Sequence, residues 1–544
     1  MNADKGIIGA MIPMPRKAAI LLLLTGMLLS ACGNDLWGTY DPILTPKLPS
    51  ATGITPSLPA ATATFFPTFT LTPIPSLSIS LTPTLLPPTS TATPSIPPGT
   101  PGQVLFYTSQ SGDSLNVVAI HFGIQVSDIK SSSALPTTGF INPGTLLLLP
   151  AKVSQVPTTP DQTIIPDSEL VYSPSAVNFD IASFVNSAGG KLSTFKDYHN
   201  PVGTIPGAES IRMISVGSSI SPRLLLALVQ YYTGWVQGQP KAGLNERYLF
   251  GYDYPAYDPA TPTIYQPLRL LVQDLLTGYY GWRAGKLNEL TFPDGTRLRL
   301  APDLNAGSVA LEYFFARHLN YADWLKAIDP DTGFLALYKS MFGDPWERAN
   351  ELGPLFPPNL NQPTFSLPFE VNVPWTLVGG PHPAWEAESA WGALDFAPPA
   401  AVSGCFVSND WAVAIAPGQI VRSESSYVVL DLDGDGYEQT GWVVIYQHVA
   451  TKDRIAAGTV VAAGDHIGHP SCEGGTAQGT HVHIARKYNG EWVAAGDPLP
   501  FVLSGWTAHA GSAPYLGTLT KGNQVVIAST VSEHTSQIIR LPGE

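Results

Sequence analysis

A long tract rich in proline, threonine and serine, residues 41–102, divides this chain and limits what it can fold into. The tract shows neither the two-residue alternation of a strand nor a helical period, and its charged and aromatic residues are too few to build a core. Frequent proline favours extended, polyproline-like segments. We therefore predict a semi-rigid tether that joins a short N-terminal segment to the folded domains.

The segment before the tether has the pattern of an export signal. Arg16 and Lys17 precede an apolar run at 18–29, which small residues and Cys32 follow. This run is too short to span a membrane comfortably. The sequence Leu-Ser-Ala-Cys at 29–32 resembles the lipobox of bacterial lipoproteins, which implies removal of residues 1–31 and acylation of Cys32. A plain cleaved signal and an uncleaved anchor are the alternatives. We expect an exported protein, lipid-anchored to the bacterial membrane and facing the cell wall.

The charge of the chain argues against a nucleic-acid partner. The net charge is −14, with 28 Lys and Arg among 544 residues, and no basic stripe occurs. Neutralising phosphates requires clustered basic side chains. The length itself predicts several domains.

Two cysteines remain besides Cys32, namely Cys405 and Cys472. Outside the cytoplasm an even remainder indicates one disulfide. A catalytic thiol is the alternative interpretation.

Residues 103–151 are predicted to form a small βααβ module. An apolar strand begins it, a helix capped near Ser114 ends at Gly123, a second short helix starts near Ser127, and a strand at 146–149 closes it. This order, with its Gly-Asp-Ser-Leu segment and its closing Pro-Gly-Thr, resembles the LysM module. The resemblance implies binding of peptidoglycan glycan containing N-acetylglucosamine. A βααβ domain without a ligand is the alternative.

Residues 165–362 are predicted to form a largely helical domain of unknown role. Ser221-Pro222 can start a helix, because proline is tolerated in the first turn. The segment that follows faintly resembles the catalytic helix of lysozyme-like lytic transglycosylases. Where that family has its glutamate, this chain has Tyr231-Tyr232, and a phenol cannot replace the carboxylic acid. We expect a glycan-binding or spacing domain, or an unrelated helical fold.

From about residue 367, short apolar segments alternate with glycine, and three of them carry groups suited to a metal. Asp395 lies between Leu and Phe, where a carboxylate is costly to bury unless it meets a cation. His481 and His483 are two residues apart, so on a strand their side chains share one face. Two imidazoles and one carboxylate can form a zinc site that keeps a fourth position for water. His382 is a further candidate ligand, and His448 is a candidate for proton transfer. A half-exposed strand without metal is the alternative for each motif alone.

Four segments in order resemble the β-lytic branch of the lysostaphin-type zinc endopeptidases, peptidase family M23. They are Gly-Gly-x-His ending at His382 before Asp395, Tyr-x-His at 446–448, His-x-His at 481–483, and the Cys-containing stretch 468–475. The resemblance covers roughly 374–506. Many other members carry the first histidine closer to the aspartate, where this chain has Trp391.

The resemblance implies that His382, Asp395 and His483 bind one Zn²⁺ and that His448 and His481 are catalytic, with the division of their roles open. It also implies that Cys405 and Cys472 pair. His466 and His469 match no ligand position and are interpreted as surface or packing residues. The Asp-rich segment 431–436 imitates the start of a calcium loop, but Trp442 occupies the position of the final carboxylate, so we expect a hairpin tip.

We thus expect a multidomain α+β protein with an antiparallel, β-rich peptidase domain at 366–507 and a C-terminal extension at 508–544. Its expected function is hydrolysis of peptidoglycan peptide bonds, in the cross-bridge or stem peptide, by zinc-activated water. The alternative is a catalytically inactive peptidoglycan-binding or amidase-regulating protein with the same fold. The expected partners are peptidoglycan, through the LysM module and the zinc domain, and the membrane, through the lipid anchor.

Overall fold

A computed structural model describes residues 103–152, 157–199, 203–400, 402–531 and 533–544. The predicted signal, the lipidation site Cys32 and the tether lie outside the described residues. Within the described ranges, no helix combines the length and the apolar character needed to cross a membrane.

The first folded segment is a two-stranded antiparallel ribbon with one helix. Its elements are β1 (Val104–Thr108), α1 (Leu115–Phe122), a 3₁₀ turn (Val126–Asp128) and β2 (Leu146–Pro150). The Ser114 side chain accepts from the Val117 amide, and Gly123 ends α1 in the left-handed conformation at φ 65°. The predicted second helix is only a 3₁₀ turn, because the chain then becomes extended and Lys130 pairs with Leu148 of β2. The relation to LysM stays a prediction.

A helical domain follows, with two short hairpins inserted. Its helices are α2 (Asp167–Leu170), α3 (Ile181–Ala188), α4 (Lys191–Thr194), α5 (Gly207–Ser218), α6 (Pro222–Thr233), α7 (Tyr265–Arg283), α8 (Ala306–His318), α9 (Tyr321–Ile328), α10 (Phe334–Phe342) and α11 (Pro345–Leu352), with 3₁₀ turns at Pro174–Ala176 and Glu246–Gly251. The hairpins are β3 (Lys196–His199) with β4 (Gly203–Pro206), and β5 (Glu289–Thr291) with β6 (Arg297–Arg299). The predicted Ser-Pro start is observed, since α6 begins at Pro222.

The C-terminal part is almost entirely antiparallel sheet. Its strands are β7 (Pro374–His382), β8 (Ala393–Ala397), β9 (Ala412–Val413), β10 (Gly418–Glu424), β11 (Tyr427–Asp431), β12 (Trp442–Gln447), β13 (Val460–Val461), β14 (His466–Gly468), β15 (Val482–Tyr488), β16 (Glu491–Trp492), β17 (Val502–Leu503), β18 (Trp506–Ala510), β19 (Gly517–Lys521), β20 (Gln524–Ile527) and β21 (Gln537–Ile539). A 3₁₀ turn at His534–Ser536 precedes β21. The main sheet has nine strands in the order β13-β10-β11-β12-β15-β8-β7-β21, with β16 paired to β15, and β17 to β20 form a smaller sheet.

The central strands of the main sheet, β8, β12 and β15, are buried on both faces. Alternate residues of β12 point to opposite sides, so that Val443 and Ile445 join the core of the helical domain while Val444 and Tyr446 join a second core. The second core contains Phe396 and residues of the smaller sheet. The helical domain therefore shares an apolar core with one face of the main sheet, and the smaller sheet packs on the other face.

The C-terminal extension is part of the β-rich domain. The boundary predicted after residue 507 lies inside β18, and β21 adds an edge strand to the main sheet beside β7. Leu519 and Ile538 are buried in the second core. Residues 508–544 thus complete the sheet that carries the site.

Candidate metal centre

Strand register brings the candidate ligands together. In the antiparallel pair of β8 and β15, Asp395 lies directly opposite His483. Strand β7 lies on the other side of β8 and ends at His382. Gly379 is the β7 residue that pairs with Asp395, and a Cβ there would stand only 2.6 Å from Asp395 Oδ2. Glycine at this position therefore leaves the space that the carboxylate occupies.

Three potential ligand atoms face one another at this point. His382 Nε2 lies 3.3 Å from Asp395 Oδ1, His483 Nδ1 lies 3.1 Å from the same oxygen, and the two nitrogens are 3.1 Å apart. All three side chains are buried. Asp395 Oδ1 is a buried oxygen with no hydrogen-bond partner of acceptable geometry.

Backbone carbonyls determine which ring nitrogens face inward. His382 Nδ1–H donates to Gly380 O at 2.8 Å, and His483 Nε2–H donates to Ala384 O at 3.3 Å. A carbonyl oxygen only accepts, so in each neutral ring the nitrogen facing Asp395 carries a lone pair. Two lone pairs and a carboxylate oxygen repel one another unless a cation lies between them. The donor set thus fits a bound metal ion.

The pKa shifts of these side chains also indicate that the centre favours a positive charge. Burial alone would raise the pKa of Asp395, but His382 and His481 outweigh it and hold this pKa well below its ordinary value. Burial would lower the pKa of His382, yet the charge of Asp395, the hydrogen bond with it and the one with Gly380 O together outweigh burial and raise this pKa. Asp395 is therefore stable as a carboxylate only beside a positive charge, which a proton or a metal ion supplies.

Two further histidines lie beside this centre. His481 Nδ1–H donates to Gly479 O at 2.7 Å, and its Nε2 lies 3.8 Å from Asp395 Oδ1. His448 Nδ1–H donates to Glu473 O at 3.0 Å, and its ring centroid is 4.5 Å from that of His481. Burial, followed by the charges of His481 and His483, lowers the pKa of His448 to about 3. His448 is therefore neutral near pH 7, and its Nε2 can accept a hydrogen bond.

A disulfide braces the wall that carries these two histidines. Cys405 and Cys472 are bonded, with their Cα atoms 5.6 Å apart. The next residue back from Cys472 is Ser471, whose amide and hydroxyl both donate to His448 O, and the His481 amide donates to Ser471 O. The cross-link thus stabilises the backbone that holds both imidazoles.

The other candidates lie in separate surroundings. His466 pairs with Glu370 at 3.0 Å and stacks on Trp411, and His469 Nδ1–H donates to Asp410 O. Neither belongs to the histidine-aspartate group. Asp431, the last residue of β11, lies close to Asp433 and Asp435 in the connection to β12, the segment for which a hairpin tip is predicted.

Tyr515 is a site residue that sequence reasoning missed. Its ring stacks on His382 with centroids 4.2 Å apart, and its carbonyl accepts from the Gly380 amide at 2.8 Å. It lies in the loop between β18 and β19, within the segment interpreted as an extension. No sequence motif marks Tyr515 as a site residue, because its position depends on how the smaller sheet packs against β7.

Comparisons with known proteins cover different parts of the chain. Residues 163–358 match the family described as LasA, N-terminal domain. This range corresponds to the helical domain predicted at 165–362, and its resemblance to lysozyme stays a prediction. No curated protein matches the chain.

Several solved structures are similar to parts of the chain. The M23 metalloprotease pseudoalterin from the deep sea is 22% identical, over 31% of this chain and 96% of that one, with a TM-score of 0.27. The catalytic domain of lysostaphin, an antimicrobial peptidase from Staphylococcus simulans, is 22% identical over 23% of this chain and 90% of its own, with a TM-score of 0.17. A putative peptidase M23 from Pseudomonas aeruginosa is 24% identical over 25% of this chain and 51% of its own, also with a TM-score of 0.17.

Proposed function

We propose that this protein is a zinc-dependent endopeptidase that hydrolyses peptide bonds of bacterial peptidoglycan, in the cross-bridge or the stem peptide. The observation that carries the proposal is the convergence of His382, Asp395 and His483 on one point, with His448 and His481 beside it. The same five residues carry the sequence resemblance to lysostaphin-type enzymes.

His382 Nε2, His483 Nδ1 and Asp395 Oδ1 would hold the zinc ion. Two imidazoles and one carboxylate are a common catalytic zinc set, and three protein ligands leave a position for water. Tetrahedral zinc with bonds of about 2.0–2.1 Å places its ligand atoms about 3.3 Å apart. The three separations here, 3.1, 3.3 and 3.1 Å, agree with that value. When bound, zinc lowers the pKa of a water molecule and polarises the peptide carbonyl.

The remaining two histidines, His481 and His448, would have different roles in proton transfer. His481 is the better general base, because its Nε2 faces Asp395 while Gly479 O holds its other nitrogen as the donor. It would take the proton of the attacking water and return it to the leaving amine. His448, neutral and anchored on Glu473 O, presents Nε2 as an acceptor that orients the same water.

The other parts of the chain would hold the metal centre close to the cell wall. We propose that the module at 103–151 binds peptidoglycan glycan, that the helical domain is a spacing or glycan-binding part, and that Cys32 anchors the exported chain by its lipid. A membrane anchor, a tether and a wall-binding module together keep a hydrolase close to an immobile polymer.

The test combines metal content with product analysis. We expect the purified chain to contain one zinc ion per molecule and to release peptides from purified peptidoglycan, as measured by mass spectrometry of the fragments. D395N and H483A should lose both properties, whereas H481A should keep zinc and lose hydrolysis. H466A is the matched histidine control, since His466 pairs with Glu370 away from the centre.

The inactive alternative makes a different prediction. A peptidoglycan-binding or amidase-regulating protein would bind the wall, with or without zinc, and release no fragments. Zinc-loaded wild-type chain that leaves defined peptidoglycans intact would contradict the proposed enzyme.

A further inference from the structure

The turn between the first two candidate ligands, residues 383–392, which we call the ligand turn, shapes the metal centre from outside. It connects β7, which ends at His382, to β8, which carries Asp395. Ala384 O within it accepts from His483 Nε2–H at 3.3 Å, and the Ala384 amide closes the turn on Ala390 O at 2.9 Å. The position of this turn therefore sets the orientation of one ligand and adjoins the other two.

Helix α7 of the helical domain holds the ligand turn through a row of donors. Arg269, Gln273 and Thr277 are spaced four residues apart and so lie on one face of the helix. Arg269 Nε and Gln273 Nε2 donate to the two oxygens of Glu386, each at 2.8 Å. Thr277 Oγ1 donates to Gln273 O at 2.8 Å and lies 3.3 Å from Glu388 Oε2. Both carboxylate oxygens of Glu386 are thus bound by a helix outside the sheet.

The turn needs this support because its backbone is strained. Glu386 has φ 48°, a left-handed conformation that a residue with a side chain adopts only when its surroundings impose it. Two more contacts from the helical domain flank it. Trp385 lies against Gly217 of α5, where a Cβ would come within 2.9 Å of Nε1, and Lys286 Nζ stands 3.8 Å above the Trp391 ring.

We propose that Arg269 and Gln273 are positioning residues for the metal centre, so that the helical domain sets the metal affinity of the sheet. Their action passes from Glu386 through the turn to Ala384 O and the His483 ring. Groups that orient metal ligands typically change metal affinity by about 10–100-fold when they are removed. The inference rests on the proposed function only for the identity of the metal.

The test measures zinc affinity in the full chain carrying R269M and Q273L together. Competition with a chromogenic chelator should show a zinc Kd raised about 10–100-fold. The visible spectrum of the cobalt-substituted protein should shift, because the ligand geometry changes. Amide exchange at residues 383–391 of the metal-free protein should become faster. The control is R297M, which removes an exposed ion pair with Glu289 in the hairpin of β5 and β6.

A second variant protects the test from a folding defect. E386Q keeps the shape of the side chain and loses the charge that Arg269 meets, so its Kd should rise less than that of the double variant and its cobalt spectrum should shift in the same direction. A Kd and spectrum like those of wild type in folded E386Q and in the double variant would overturn the proposal. Wild-type chain that binds zinc without cleaving peptidoglycan would contradict the proposed function alone, because affinity and spectrum need no turnover.

Discussion

At the scale of single residues, backbone carbonyls orient the imidazoles of the candidate metal centre. Each of the four histidines around it gives one N–H to a carbonyl, from Gly380, Glu473, Gly479 or Ala384. Each ring therefore presents a lone pair from a defined nitrogen, which is the form that either binds a metal or accepts a proton. The chemistry of the centre depends on the loops that place these carbonyls.

Gly379→Ala tests whether space beside Asp395 is required. The added Cβ would stand 2.6 Å from Asp395 Oδ2, so the carboxylate has to move away from the two histidines. We expect zinc affinity to fall at least tenfold, while the metal-free protein unfolds within about 1–3 kcal/mol of wild type, as small overpacking changes do. Isothermal titration with zinc and urea unfolding measure the two quantities. Unchanged zinc binding would show that Asp395 does not ligate the metal.

Asp113 in the N-terminal module should make stability depend on pH. Burial raises its pKa to about 6, although Gln110 N and Tyr107 OH donate to its carboxylate. Because the folded pKa lies above the unfolded one, the neutral form stabilises the fold. This contribution is fully present below pH 4 and is lost as the pH rises through 6.

We therefore expect the unfolding free energy of wild type, relative to D113N, to fall by up to about 3 kcal/mol between pH 4 and pH 7. Urea unfolding of both proteins across this range provides the measurement. Parallel pH profiles for the two proteins would contradict it.

At the scale of elements, the C-terminal segment closes the sheet that bears the centre. Strand β21 pairs with β7, the strand that ends at His382, and the β18–β19 loop places Tyr515 on that histidine. Ala508, Leu519 and Ile538 are buried, so the segment contributes apolar core and not only an edge. Removal of the segment would expose the apolar core and the edge of β7 to water.

A chain truncated after residue 507 should therefore fail to reach the native state. The truncation cuts β18 and exposes the second core, so we expect aggregation or binding of a hydrophobic dye, measured beside the intact chain. A soluble truncated chain that melts at the wild-type temperature would show that the extension is dispensable for folding.

At the scale of the whole molecule, one arginine connects the three folded parts. Arg283 at the end of α7 donates to Ser111 O of the module, pairs with Asp167 at 2.9 Å at the start of the helical domain, and pairs with Glu491 of β16 at 2.9 Å. The parts also share the apolar core between the helices and the sheet. These contacts make residues 103–544 depend on one another for stability, within the ranges that the structure describes.

Arg283→Met should destabilise the whole assembly. It leaves the buried Glu491 and the partly buried Asp167 without their cation, and breaking a buried pair from one side costs about 3–5 kcal/mol. The exposed pair of Arg297 and Glu289 is the control, for which R297M should cost about 0–1 kcal/mol. Chemical unfolding followed by circular dichroism measures the unfolding free energy of both variants. Equal losses of unfolding free energy in the two variants would show that Arg283 does not connect the folded parts.

The sequence alone determined which side chains are candidates for the metal centre. Asp395 between apolar neighbours and the pair His481 and His483 are local patterns, and strand alternation is a local rule, so the candidate residues could be named without a fold. The order of helical and β-rich segments was readable for the same reason.

The tertiary structure alone decided how those residues are arranged. Which ring nitrogen faces Asp395, the stacking of Tyr515 on His382, and the hold of Arg269 on Glu386 all join residues far apart in the chain. The same is true of the core shared by helices and sheet. Periodicity describes one element at a time, whereas these contacts depend on strand order and on how helices pack across the sheet.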